Sequence, residues 1–192
     1  MKLITVTGNH SVTLPLEKLS SLSKVIKDLC DECDQCDSFT VPDCSKESLE
    51  LLSEFVNNPE EFRHNKDPVR LILYLSKLSK HGYDTLSDLC KLADYIDIQE
   101  LLKMITSYLA KFYFEDSTIE VNRVLMKVAC DFSEEEELKY RKEFCVKEPM
   151  EEKRYTTIEQ IEEDRKKILA FAGRRASARV TLTIASLSQH QK

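Results

Sequence analysis

Three glycines serve the whole 192-residue chain, at Gly8, Gly82 and Gly173. Glycine reaches left-handed backbone and lets a main chain approach a ligand closely. Loops that cradle phosphates are built on runs of it. With the three spread so far apart, the chain cannot assemble a phosphate loop, a dinucleotide fingerprint or the elbow that presents a nucleophilic serine. Most cofactor-binding folds are excluded on that ground, and none of the remaining patterns calls for a cofactor. Elements must instead be delimited by side-chain caps, prolines and apolar periodicity.

That periodicity can build a real core, since apolar residues make up 42% of the chain. The start alternates: Leu3, Thr5 and Thr7 interleave with Ile4 and Val6, and Gly8, Asn9 and His10 make a turn. Val12, Leu14 and Leu16 then alternate with polar neighbours. A helix is predicted from about Leu19 to Leu29, then an acidic, cysteine-rich stretch from Asp31 to Asp37, then a short strand at Phe39–Val41 ended by Pro42. Ser45 is placed to cap a helix whose apolar face is Leu49, Leu52, Phe55 and Val56. Residues 57–68 read as a charged loop, and periodicity leaves the type of Val69–Leu78 open.

From Thr85 the pattern is helical throughout. Leu89, Leu92, Ala93 and Ile96 form one stripe; after a break at Asp97, Leu101, Leu102, Ile105, Leu109 and Phe112 form another. Ser117 with Glu120, and Ser133 with Glu136, read as capping boxes that start helices at Ile119–Val128 and Glu134–Phe144. A sheet-containing first half followed by helices predicts an α+β fold. Beyond residue 146, a helix over about 157–172 ends at Gly173. The basic, Ser/Thr-rich remainder to Lys192 reads as a mobile tail, or a strand formed only with a partner.

Net charge is −6 and pI about 5.4, against a general nucleic-acid binder. Seven cysteines, an odd number, suit a reducing compartment. The N-terminus lacks a signal peptide's long apolar run, and stretches such as Leu71–Leu75 are too short to span a bilayer. The expectation is a cytoplasmic and nuclear protein without membrane or nucleic-acid partners.

Chemistry-bearing patterns are few. Cys30, Cys33, Cys36 and Cys44 have a spacing that can converge on zinc, but no second cysteine pair or histidine pair follows. Asp31, Glu32, Asp34 and Asp37 would also oppose thiolate formation, so a solvated acidic loop is the preferred reading, with no metal site. His10, His64, His81 and His190 stand near no nucleophile that they could activate. The carboxylates Glu134–Glu137 suit a helix N-terminus, where the dipole favours them. Arg174 and Arg175 before Ser177 have the spacing of a basophilic kinase site, with Ser177 as acceptor. No catalytic constellation is assembled.

Two linked segments carry a resemblance. Thr85-Leu86, then Leu92-Ala93-Asp94-Tyr95-Ile96-Asp97-Ile98 and Leu101-Leu102, resemble the signature of the Skp-type (S-phase kinase-associated) adaptors. Downstream, Asp131-Phe132-Ser133-Glu134-Glu135-Glu136 and Arg141-Lys142-Glu143 are similar to that family's next segment. The likeness runs over about residues 2–145. It implies a BTB/POZ-like domain over 1–114, F-box-binding and dimerisation helices over 115–146, and a family-atypical tail over 147–192. It implies a non-catalytic adaptor of an SCF-type ubiquitin ligase, joining the N-terminal region of a cullin to F-box proteins. Asp94 and Tyr95 then fall at the cullin contact, with Asp94 where the family has asparagine. Ile98, Leu101, Leu102, Ile105, Val121, Met126, Val128, Phe132 and Leu138 fall at the F-box contact, with Met126 where the family has phenylalanine. These departures leave room for the alternative of a divergent structural subunit that forms a homodimer or binds other helices.

Overall fold

In the computed structural model, which describes residues 2–33, 37–62, 68–115, 117–144 and 154–189, the alternating N-terminus becomes a hairpin. Strand β1 (Leu3–Thr7) pairs antiparallel with β2 (Ser11–Pro15), Ile4 opposite Leu14 and Val6 opposite Val12. Period-2 alternation therefore sends Ile4, Val6 and Leu14 into the core together. The short β3 (Ser38–Thr40) runs parallel to β1 on its other edge, giving the order β2-β1-β3. Gly8 is needed at the hairpin because a Cβ there would come within 3.1 Å of the Pro42 carbonyl oxygen.

The helix predicted over Leu19–Leu29 is two helices, α1 (Leu16–Leu22) and α2 (Lys24–Glu32). Ser23 separates them with extended backbone, and its hydroxyl explains why. Oγ accepts from the Ile26 amide at 3.1 Å and donates to the Ile96 carbonyl. One buried side chain thus caps α2 and ties it to a distant corner of the fold.

Helix α3 (Lys46–Asn57) begins at the predicted Ser45 cap, whose Oγ accepts from the Ser48 amide at 3.2 Å. It buries Leu49, Leu52, Phe55 and Val56, each contributing about 1.5–3 kcal/mol by removal of apolar surface from water. Residues 59–61 form a 3-10 turn. The unresolved segment of the sequence reading is helix α4 (Pro68–Leu78), in which Tyr74 donates to the Met104 carbonyl at 2.7 Å.

Helices α5 (Tyr83–Tyr95) and α6 (Gln99–Leu109) meet at the expected break, but Asp97 does not cap α6. It adopts left-handed backbone (φ 52°) while the Asp97 and Ile98 amides donate back to the Asp94 and Ala93 carbonyls, a Schellman closure. A π-helical turn, Ala110–Phe114, widens the end of α6. Helix α7 (Ile119–Met126) follows, then α8 (Glu134–Glu143) and α9 (Ile158–Gln189).

Two sequence expectations are corrected here. Thr118, not Ser117, caps α7 by accepting from the Val121 amide, because Glu120 turns inward to the Tyr155 amide and cannot close a box. The tail expected to be mobile past residue 172 is the second half of α9, which runs 32 residues through Gly173 to Gln189. Gly173 interrupts nothing because the helix is held from outside. Ala172, Ala176 and Val180 enter the main core, which runs continuously from Ile4 to Val180 and so crosses the boundaries expected at 114 and 146. A smaller cluster joins Val124 of α7 to Tyr155 and Ile161.

Candidate protein-docking surface

Helix α8 is built the wrong way round for a helix that stabilises a core. A surface helix normally buries its apolar stripe and exposes its charges. Here Glu137 and Arg141 are the buried residues of the helix, and every other residue in it is exposed. Leu138 is 54% exposed and Tyr140 40%, while Phe144 just beyond the helix is 71% exposed. Phe132, before the helix, packs on the Tyr140 ring at 5.1 Å, and Tyr140 stacks on Phe144 at 6.5 Å. Met126 at the end of α7 and Val128 just beyond it are exposed as well. Large apolar side chains held outward on a positioned element are the usual mark of a protein-binding surface.

What holds α8 in place is ionic. Oε1 of Glu137 accepts from Arg141 Nε and Nη2 at 3.0 and 2.9 Å, and Oε2 lies 2.7 Å from Arg154 Nη2. Arg123 Nη2 stands 3.7 Å away and its Nε is 3.2 Å from Glu120. The Cys130 thiol donates to Glu137 and accepts from Arg154. Glu120 in turn accepts from the Tyr155 amide at 3.1 Å, and the Cys130 amide donates to the Tyr155 carbonyl at 2.7 Å. Desolvation pushes the Glu137 carboxyl up, but hydrogen bonds from Arg141 and Cys130 and the guanidinium charges of Arg154 and Arg123 outweigh it. The net effect holds the group below its ordinary range. The capping box predicted at Ser133 and Glu136 is present, with reciprocal bonds of 3.3 and 2.9 Å that fix the helix start.

The expected F-box residues divide into two sets. Ile98, Leu101 and Ile105 are fully buried and Leu102 half-buried, so α6 contributes core rather than contact surface. Val121 is half-buried against the main core, whereas Met126, Val128, Phe132 and Leu138 are exposed together around α7 and α8. Tyr140 and Phe144 join them. Their spacing of four residues was a readable signal. The buried partnership of Glu137, Arg141 and Arg154 was not, because nothing in a run of charges says which of them faces inward.

The expected cullin residues lie at the C-terminal end of α5. Asp94 is exposed, and Tyr95, also exposed, rests on the Phe39 ring with centroids 6.0 Å apart. Ser177 is exposed on α9, but within a helix, and Arg175 donates to the Tyr113 carbonyl.

Cys44 is buried in the core, Cys30 half-buried and Cys33 exposed, while Cys36 lies outside the described residues. Burial pushes the Cys90 thiol up to about 11, with Asp94 adding to the shift, and burial likewise raises Cys44. Among the described residues no group of three metal-ligating side chains comes together. His81 is partly buried, which lowers its pKa, and His64 and His190 lie outside the described residues. No helix among the described residues is long and apolar enough to cross a membrane.

A scan against protein-family models and a search of curated proteins both returned no match to the chain.

Proposed function

We propose that this chain is a non-catalytic docking protein, working in the cytoplasm and nucleus, whose α8 face receives a partner's apolar helix. The observation that carries the reading is the inversion of α8, which buries the charged Glu137 and Arg141 and offers Leu138, Tyr140 and Phe144 outward. Within that class, the Skp-like segments favour an adaptor on a BTB/POZ-like fold, serving an SCF-type ubiquitin ligase. Asp94 and Tyr95 would meet the N-terminal region of a cullin. Met126, Val128, Phe132, Leu138, Tyr140 and Phe144 would meet an F-box. Ile98, Leu101 and Ile105 would support that contact from beneath, and Leu102 and Val121 would border it.

Co-purification of the full chain with a cullin N-terminal region and with an F-box protein tests this. Tyr95→Ala should abolish only the first association, and Leu138→Ser with Phe144→Ser only the second. A folded chain that captures neither partner would sink the reading.

A second use has its own support. The first turn of α8 is acidic and its last turn basic, so two copies laid antiparallel would set the exposed Glu134, Glu135 and Glu136 of one near Lys142 of the other. Light scattering distinguishes it: a dimer dispersed by Phe144→Ser favours a self-associating subunit.

A further inference from the structure

We infer that α9 is a displaceable occupant of a helix-receiving groove, and that an incoming helix reaches the inner face of α7 by taking its place. This rests on the docking reading above and adds to it a second, covered face on the inner side of α7.

The groove is formed by α4, the π-helical turn and α7, against all of which α9 lies. Over its 32 residues α9 buries only Ile161, Ala172, Ala176 and Val180. Two of these four are alanines, so the helix approaches closely; Leu169 and Ile184 pack partly buried on the main core, and Ile168 on the smaller cluster. The aromatic cluster under the groove closes without it. Tyr83 packs on Tyr113 and Phe114, and Tyr108 on Phe112, with centroids 5.5, 5.9 and 4.9 Å apart.

The remaining grip is a set of arginines reaching groups that need no protein partner. Arg165 donates to the Val124 and Leu125 carbonyls and pairs with Asp84. Arg175 donates to the Tyr113 carbonyl, and Arg179 to the carbonyl and the carboxylate of Glu115. Carbonyls at the end of a helical segment are satisfied equally well by water. Withdrawal of α9 therefore strands none of these acceptors on the body, which distinguishes a lodged helix from a keystone. The same acceptors define what can replace it: a basic amphipathic helix with a ridge of small residues. Val121, half-buried against the cluster that includes Ala172 and Ala176, is uncovered by the exchange.

The test uses the full chain carrying Arg165→Ala and Arg179→Ala, and separately Ala176→Glu, all changes lying in α9. Hydrogen exchange should rise about tenfold or more in α9 of both variants, while α3 and α5 keep wild-type protection and so report an intact body. A labelled peptide of residues 158–189 should bind the variants saturably and wild type at least about tenfold more weakly, because the tethered helix competes at high effective concentration. Exchange of α9 in step with α5, or equal peptide binding by wild type and variants, would overturn the inference. An F-box helix is measured alongside. Equal binding to wild type and variants leaves the adaptor reading standing and removes displacement. Failure of that helix where the 158–189 peptide binds does the reverse.

Discussion

Replacing Glu137 with Gln isolates the ionic attachment of α8. The change keeps the side chain's shape but turns one of its two acceptor oxygens into an NH2 donor and removes the charge on which Arg141 at 2.9 Å, Arg154 at 2.7 Å and Arg123 at 3.7 Å converge. Arg123 keeps Glu120, and Arg154 keeps Glu134 at 3.8 Å, so the loss is partial for those two. Breaking a buried pair costs about 3–5 kcal/mol, and the lower end applies here because of these second partners. About 3 kcal/mol is on the order of 100-fold in the equilibrium between attached and detached α8. A detached helix of 10 residues is too short to persist in water. Its amides should therefore exchange on the order of 100-fold faster. Since α8 buries no apolar side chain, the peptide spanning 86–95 in α5 should keep its protection. The assay is native-state hydrogen exchange with peptide-level mass spectrometry at pH 7. Unchanged protection over 134–143 would refute the ionic account of how α8 is held. Equal loss in α5 would refute its independence from the core.

Three more outcomes follow from the same geometry. The Glu137 carboxyl is held below its unfolded value, so its stabilisation is complete above about pH 4.3 and is lost as pH falls through the lower folded value. A Tyr140→Trp reporter, in a chain with no other Trp, should show α8 stable from pH 7 to about 5 and released only in more acid solution. Lys127 sits at φ 56° in a Schellman closure where glycine is less strained, so Lys127→Gly should stabilise by about 1 kcal/mol in urea unfolding. A basophilic kinase reads arginines on an extended peptide, whereas Ser177 is helical with Arg175 engaged at Tyr113. Phosphorylation of Ser177 should therefore be faster in Arg165→Ala/Arg179→Ala than in wild type, as read by phosphate incorporation.

The local signals in the sequence were those with a local cause. Ile4, Val6 and Leu14 alternate because one face of a hairpin is dry. Ser45 and Ser133 cap helices because a hydroxyl beside an apolar run has an orphan amide within reach. Where distant chain intervened, the same reasoning failed. Ser23 breaks a periodic helix because Ile96, 73 residues away, needs a donor. Ser117 loses its box because Tyr155 claims Glu120. Gly173 and the Ser/Thr-rich residues after it read as a stop and a tail, yet α4, α7 and the π-helical turn supply the contacts that continue the helix. The candidate surface was half legible. Met126, Val128, Phe132 and Leu138 were singled out and are exposed together, whereas Ile98, Leu101 and Ile105, singled out with them, are buried. Apolar spacing is identical for a face turned to the core and one turned to a partner.

The order of synthesis gives the α9 contact a temporal side. Every element that holds α9 precedes it in the chain, so the ribosome makes α4, the π-helical turn and α7 before their occupant exists. Chains emerge at roughly 5–20 residues per second, and a 32-residue helix takes seconds to complete. During that interval the groove is open on the nascent protein. A partner already waiting there meets no competitor, whereas one arriving later must wait for α9 to leave.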